Sequence, residues 1–191
     1  MKANVKFAKV RPDAKIPSKR VEDMGFDIYA CFDEDYIVIG PHETKLIPTG
    51  IASSCDPEYG FLLRERGSTG SKGMALRCGV IDSGYRNEWF VGLTNTTNKE
   101  IFISKLDEKE LYKKAYPEGW HIHDYIGESV LEYELPLERY SELVLVYPYS
   151  KAIAQALVVP IPEVEVEELT LEDLQAIPSE RGLGALGSSG K

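Results

Sequence analysis

The residues of this chain that could do chemistry fall in a few polar segments set between apolar runs. Asp82 lies in Gly79-Val80-Ile81-Asp82-Ser83-Gly84-Tyr85-Arg86, which reads as a hairpin carrying an acid and, three residues on, an aromatic. A carboxylate so placed can take a proton from a water held against it. Asp-Ser-Gly is equally good turn chemistry, so the segment alone decides nothing. Arg66-Gly67-Ser68-Thr69-Gly70-Ser71-Lys72-Gly73 combines cations, hydroxyls and glycine backbone, a set suited to phosphate oxygens. It is not a P-loop, because the Gly-x4-Gly-Lys-Ser/Thr spacing is missing. Met24-Gly25-Phe26-Asp27-Ile28-Tyr29-Ala30 puts one carboxylate inside a core-like strand, and Gln155 follows Ala152-Ile153-Ala154 in the same way. The last eleven residues, Arg181 to Lys191, hold four glycines and can form neither strand nor helix unaided. On composition, a frayed terminus and an arm whose N–H groups wrap a phosphate chain both stay open.

What must position these segments is mostly strand. Val5 and Phe7 alternate with polar neighbours, and Tyr36-Ile37-Val38-Ile39 ends at Gly40-Pro41. Further runs are Leu46-Ile47, Phe61-Leu62-Leu63, Trp89 to Leu93, Ile101 to Ile103, Leu143 to Val146 and Ala156 to Val159. Short β-rich runs broken by Gly, Pro, Asn and Asp predict a mostly-β fold, a jelly-roll-like antiparallel barrel or sandwich. Asp107 to Lys114 reads as a short helix with Asp107 and Glu110 placed as a capping box. From there to Tyr149 the chain reads as an inserted helix-hairpin subdomain, with Trp120, Tyr125 and Tyr133 as its contact-prone aromatics. The expected organisation is a core of residues 1–105 and 150–180, an insertion over 106–149 and an arm over 181–191.

Composition sets outer bounds. With 191 residues, 43% hydrophobic and 28% charged, the chain suits one soluble domain. A net charge of -9 argues against a general nucleic-acid binder, although a local arginine cluster can still hold a small anion. No apolar run approaches membrane-spanning length and no signal core opens the chain, so a cytoplasmic location is expected. Cys31, Cys55 and Cys78 show no metal or redox spacing and are read as buried thiols. His121 and His123 would share one face of a strand, without an evident third metal ligand.

The segments gain meaning from their order. Met24–Ala30, Arg66–Gly73, Gly79–Arg86, Ala152–Gln155 and Arg181–Gly190 resemble, in sequence order, the five motifs of trimeric dUTPases. The resemblance covers about residues 3–105 and 150–191. It implies a homotrimer whose sites are built from several subunits, and hydrolysis of dUTP to dUMP and pyrophosphate with Mg²⁺. Asp82 would activate the water that attacks the α-phosphorus, and Gln155 would hold that water or an α-phosphate oxygen. Tyr85 would pack under the deoxyribose, and backbone from Gly79 through Ile81 to Tyr85 would read the uracil. Arg66, Gly67, Ser68 and Thr69 would bind phosphates, with Asp27 orienting the site through Mg²⁺-bound waters rather than as a direct ligand. Arg181 would grip the γ-phosphate, Gly187, Ser188 and Ser189 would add donors, and Leu186 would cap the base.

Two positions depart from the family pattern. Gly67 stands where a serine is usual, and Leu186 stands where an aromatic is usual, which forfeits about 0.5–1.5 kcal/mol of ring-on-ring contact. The alternatives are a dCTP deaminase of related fold and a non-catalytic nucleotide-binding regulator. The insertion is either an ornament on the trimer rim or a docking surface for another protein.

Overall fold

A computed structural model describes residues 2–119, 121–126, 129–134, 136, 139–180 and 182, with 121–126 and 129–134 by their backbone. The architecture is mostly β, as the strand runs lead one to expect. Strands β2 (Phe26–Tyr29), β14 (Ala152–Pro160), β6 (Tyr59–Arg64) and β8 (Val80–Ile81) form one sheet in that order. A second sheet runs β4 (Thr44–Pro48), β9 (Phe90–Asn95), β7 (Met74–Arg77). A third runs β13 (Val144–Pro148), β10 (Glu100–Ser104), β3 (Tyr36–Ile39), and β1 (Val5–Lys9) pairs with β5 (Ile51–Cys55). All pairings are antiparallel except β10 with β13, which is parallel.

Side chains from these sheets meet in one core that includes Ile28, Ile39, Ile47, Phe61, Leu63, Trp89, Leu93, Ile101 and Ile153. Each fully buried aliphatic or aromatic residue contributes about 1.5–3 kcal/mol of burial. Phe61 meets Trp89 edge-on at 4.9 Å, and Phe7 meets Trp89 at 5.8 Å, which fastens β1 over β6. The buried Asn95 amide donates to the carbonyls of Ile39, Gly40 and Lys99 and accepts from Thr97, so its polar atoms are all matched.

Gly50 shows how tight the packing is. It adopts φ +68, and a Cβ there would lie 2.8 Å from both the Ala14 Cβ and the Cys31 Sγ. Its carbonyl accepts from Val10 and Arg11, and its N–H donates to Glu88. Gly50→Ala should lower stability by about 2–4 kcal/mol, read as a shifted urea midpoint with unchanged slope.

The segment expected to be an insertion begins with helix α2 (Glu108–Ala115), whose N-cap Asp107 accepts the Glu110 N–H at 2.9 Å. Leu111 and Tyr112 pack with Phe102, Tyr140 and Val144 in a second cluster, Tyr140 belonging to the short helix α3 (Tyr140–Leu143). Tyr116 donates to Glu100, and burial together with that carboxylate pushes its phenol far above the usual range. A backbone hairpin of β11 (His121–Ile126) and β12 (Ser129–Glu134) lies between the two helices. The side chains of His121, His123, Trp120, Tyr125 and Tyr133 lie outside the described residues.

Three expectations need correction. The boundary at 149 cuts too late, because β13 is a strand of the third sheet rather than part of an insertion. The core ends at Ile161, so residues 162–180 group with the arm in a second unit, Pro162–Lys191. That unit's described residues are exposed, and they include helix α4 (Leu171–Ala176) with Thr170 as its N-cap. Cys31 and Cys55 are buried, but Cys78 is exposed because it sits at φ +54 where the chain passes from β7 to β8. Among the described residues no helix is long and apolar enough to cross a membrane.

Candidate active site

A cleft of ≈ 680 Å³ gathers much of the polar chemistry anticipated from the sequence. Ser18, Lys19, Arg20, Asp23, Met24, Gly25, Asp27, Arg66, Gly67, Ser68 and Gln155 line it. Its floor is a row of paired strands in which Gln155 of β14 stands between Asp27 of β2 and Arg64 of β6. The period of two along each strand therefore sets the Asp27 and Gln155 side chains together. Gly25 permits this closeness, since a Cβ there would lie 3.1 Å from both the Gln155 Cβ and its Oε1.

Arg66 follows the end of β6 by two residues and is the N-cap of a helical turn, α1 (Gly67–Gly70). Its guanidinium meets Asp27 through Nε at 3.0 Å and Nη2 at 3.3 Å, and Nη1 reaches the Ala152 carbonyl at 3.4 Å. Both side chains are about one-third exposed, and Nε, Nη1 and Nη2 of the guanidinium all have protein partners that fix its orientation. Asp27, expected to orient the site, is the ion-pair partner of Arg66. Ser68 is exposed beside Arg66 and within 3.3 Å of the Tyr147 hydroxyl, and Gly67 faces open space. Gln155 donates from Nε2 to the Glu65 carbonyl at 2.8 Å. Hydrogen bonds from the N–H groups of Glu65 itself and of Leu76 hold the Glu65 carboxyl below its ordinary value.

Thr69 is a correction. Its side chain is fully buried, donating to the Arg66 carbonyl and accepting the Arg66 N–H, both at 3.1 Å. The hydroxyl closes the turn that presents Arg66 and does not face the cleft.

Asp82 and Tyr85 lie elsewhere in the chain and do not line this cleft. The Tyr85 N–H donates to the Asp82 carbonyl at 3.1 Å, closing a tight turn over Ser83 and Gly84. The Asp82 side chain is exposed, and none of the described hydrogen bonds or ion pairs involves its carboxylate. Tyr85 is partly exposed and its hydroxyl donates to the Glu88 carbonyl at 3.1 Å. The segment is not a hairpin of mutually paired strands, as its turn chemistry suggested. β8 pairs with β6, whereas β9 pairs with β4 and β7, so the chain arches from one sheet to another. Gly79 enables the arch: its carbonyl accepts the Leu63 N–H at 2.6 Å, and a Cβ would lie 2.8 Å from the Leu63 oxygen. Ile81 turns its side chain into the core, and β8 is the last strand of its sheet, leaving an outer backbone edge unpaired among the described residues.

Arg181, Leu186, Gly187, Ser188 and Ser189 lie outside the described residues. Sequence reasoning passed over Ser18, Lys19, Arg20 and Asp23, which complete the cleft. The adjacent cations Lys19-Arg20 shortly before Asp27 were the available signal.

Comparison with known proteins agrees with the fold and with the family resemblance. The family model described as dUTPase matches residues 13–108. The deoxyuridine 5'-triphosphate nucleotidohydrolase of Leptospira interrogans is 33% identical over 99 residues, which cover 50% of this chain and 68% of that protein. The enzyme of the same name from Paraburkholderia xenovorans is 28% identical over 196 residues, covering 100% of this chain and 99% of that one. A mutant dUTPase of Staphylococcus bacteriophage 80alpha with dUpNHpp shares the fold at TM-score 0.62 and 22% identity, covering 98% of this chain and 99% of that one. A mutant dUTPase from phage phi11 of S. aureus, solved for its coordination of a structural Mg(II) ion, has TM-score 0.57 and 19% identity over 87% of this chain and 96% of that one. With half of its residues matched by the family model and motifs in the family's order, this chain belongs to the dUTPase family.

Proposed function

We propose that the chain hydrolyses dUTP to dUMP and pyrophosphate, with Asp82 as general base for water attack on the α-phosphorus. The observation that carries this reading is an exposed carboxylate, without a hydrogen-bond or ion-pair partner among the described residues, held at a hydrogen-bonded turn beside a backbone edge that is unpaired among those residues. A base must be unencumbered to take a proton, and a fixed turn keeps it aimed. The unpaired edge of β8 supports base reading by backbone groups, which reject cytosine because its donors and acceptors are reversed. Tyr85, pinned through its hydroxyl to Glu88, supports a sugar platform closed to a 2′-hydroxyl.

The phosphate chain fits the other group of residues. Arg66, oriented by Asp27, supplies positive charge for the phosphates, with Ser68 and the Gly67 backbone beside it. Gln155 has one N–H committed to Glu65, and its Oε1 near Gly25 is placed to accept from a water. Asp82 is not among the residues lining the cleft, and a site that combines residues from different copies of the chain would bring the two groups together. A homotrimer with shared sites is such an arrangement. Arg181, Ser188 and Ser189 would complete it from the arm.

Mg²⁺ suits this donor set. Among the described residues no three acidic, His or Cys groups gather as ligands, and Mg²⁺ commonly binds through phosphates, waters and one or two carboxylates. Asp27 would hold the ion through waters, and the ion would offset the negative charge that a triphosphate brings to an acidic protein. Free cysteines, one of them exposed, agree with a reducing compartment such as the cytoplasm.

A panel of dUTP, dTTP, dCTP and UTP with and without Mg²⁺ tests the reading. We expect pyrophosphate release from dUTP alone, lost on chelation, with dCTP turned over at least about 10⁴-fold less efficiently. Ammonia release from dCTP would overturn it in favour of a deaminase, and tight dUTP binding without pyrophosphate release would favour a regulator.

A further inference from the structure

Arg20 lies outside every segment that resembles a family motif, yet its side chain lines the same cleft as Arg66. The loop that carries it has its own internal fastenings. Its ends are tied where the Asp27 N–H donates to the Ser18 carbonyl at 3.0 Å. Inside, the Lys19 ammonium donates to the carbonyls of Asp23 at 2.6 Å and of Arg20 at 3.2 Å, and lies over the Phe26 ring. The Asp23 carboxylate accepts the Arg20 N–H at 3.1 Å and meets the guanidinium through Nη2 at 2.9 Å and Nε at 3.0 Å. Among the described residues Nη1 of Arg20 has no hydrogen-bond partner.

This pair is easily exchanged. The Arg20 side chain is 88% exposed, and a solvent-screened ion pair between residues three apart holds its partners weakly. A phosphate group offers the same bidentate geometry with more charge, which the planar guanidinium fork matches better than any ammonium. The position along the sheet also matters. Gln155 pairs with Asp27, and Asp27 pairs in turn with Ser18, so the loop begins two strand spacings, about 10 Å, from the Gln155 strand. On the proposed reading Gln155 would mark the end of the cleft where the water and the α-phosphate meet. The loop that carries Arg20 begins on the other side of Asp27, where the rest of a phosphate chain would run.

We propose that Arg20 is a second phosphate-binding guanidinium of the site, held on Asp23 in the empty cleft and taken over by the pyrophosphate part of the nucleotide. The proposal rests on the reading of the cleft as the phosphate site and adds a residue and a ligand portion to it. Asp23 then acts as a placeholder that keeps the fork oriented, and Lys19 as the clamp that keeps the loop shut.

The test uses the full-length protein and inorganic pyrophosphate as the probe, with dUMP as a comparison that lacks the β and γ groups. Arg20→Gln should raise KM for dUTP and weaken pyrophosphate inhibition by about tenfold, the order expected for one lost charge-assisted hydrogen bond. Inhibition by dUMP should stay the same, and Arg20→Lys should recover only part of the loss. Asp23→Asn, which frees the guanidinium, should leave pyrophosphate inhibition as strong or make it stronger. Unchanged pyrophosphate inhibition in Arg20→Gln overturns the proposal, as does equal weakening in Asp23→Asn, which would make loop shape the cause. Arg66→Gln separates the two levels. If it weakens pyrophosphate inhibition while Arg20→Gln does not, only the role of Arg20 fails. If neither variant has an effect, the phosphate reading of the cleft fails with it.

Discussion

Asp82→Asn should bind dUTP at least as tightly as the unmodified protein and turn it over at least about 10²-fold more slowly, the usual scale for removing a general base. Asn is close in size, tolerates the same turn and can accept hydrogen bonds, but it cannot take a proton at neutral pH. The fold should not notice the change, because none of the described hydrogen bonds or ion pairs involves the Asp82 carboxylate. Binding should hold or tighten, since a negative charge beside a triphosphate has been removed. Pyrophosphate release under saturating dUTP measures the turnover, and titration calorimetry with a non-hydrolysable analogue measures the binding. Near-normal turnover would take Asp82 out of the mechanism.

Truncation after Glu180 should also reduce turnover by at least about 10²-fold, the scale on which losing a preorganised charge donor is felt. It removes Arg181 together with Leu186, Gly187, Ser188 and Ser189, and so both the proposed γ-phosphate grip and the cover over the base. Closing such a cover excludes water and completes the site. The described residues of Pro162–Lys191 are exposed and belong to a separate unit from the core, so the core should fold without the arm. Thermal melting and light-scattering mass should therefore stay near their starting values. An active truncated protein would make the arm a plain terminus.

The sequence was most informative where a strand announces both its pattern and its end. Tyr36-Ile37-Val38-Ile39 is apolar throughout and stops at Gly40-Pro41, and β3 has those bounds. β5 escaped notice because Ser53 and Ser54 dilute its apolar character, although Ile51, Ser53 and Cys55 alternate inward in the burial pattern. The Asp82 segment was read as a hairpin because its turn residues are those of a hairpin. Which partners its flanks choose depends on the close approach at Gly79 to β6, and local chemistry does not reveal that. The resemblance places Thr69 among the phosphate contacts, but residue type and position alone do not tell a donor aimed at a ligand from one spent on its own backbone. Arg20 is not legible from sequence because it reaches the cleft through fastenings within its own loop, at Lys19 and Asp23.

The parallel pairing of β10 with β13 changes how the stretch between them should be regarded. Two parallel neighbours cannot be joined by a tight turn and need a crossover of a dozen or more residues. Some excursion after Ser104 is therefore obligatory for this topology, and only what exceeds that minimum is surplus. Adding to it is cheap, because each doubling of a flexible loop costs only about 0.6 kcal/mol in closure entropy. The register of β10 against β13 does not sense what lies between them. Over evolutionary time this stretch can lengthen, shorten or acquire new surfaces while the motif-bearing strands stay unaltered, which makes it the natural place for members of one family to diverge.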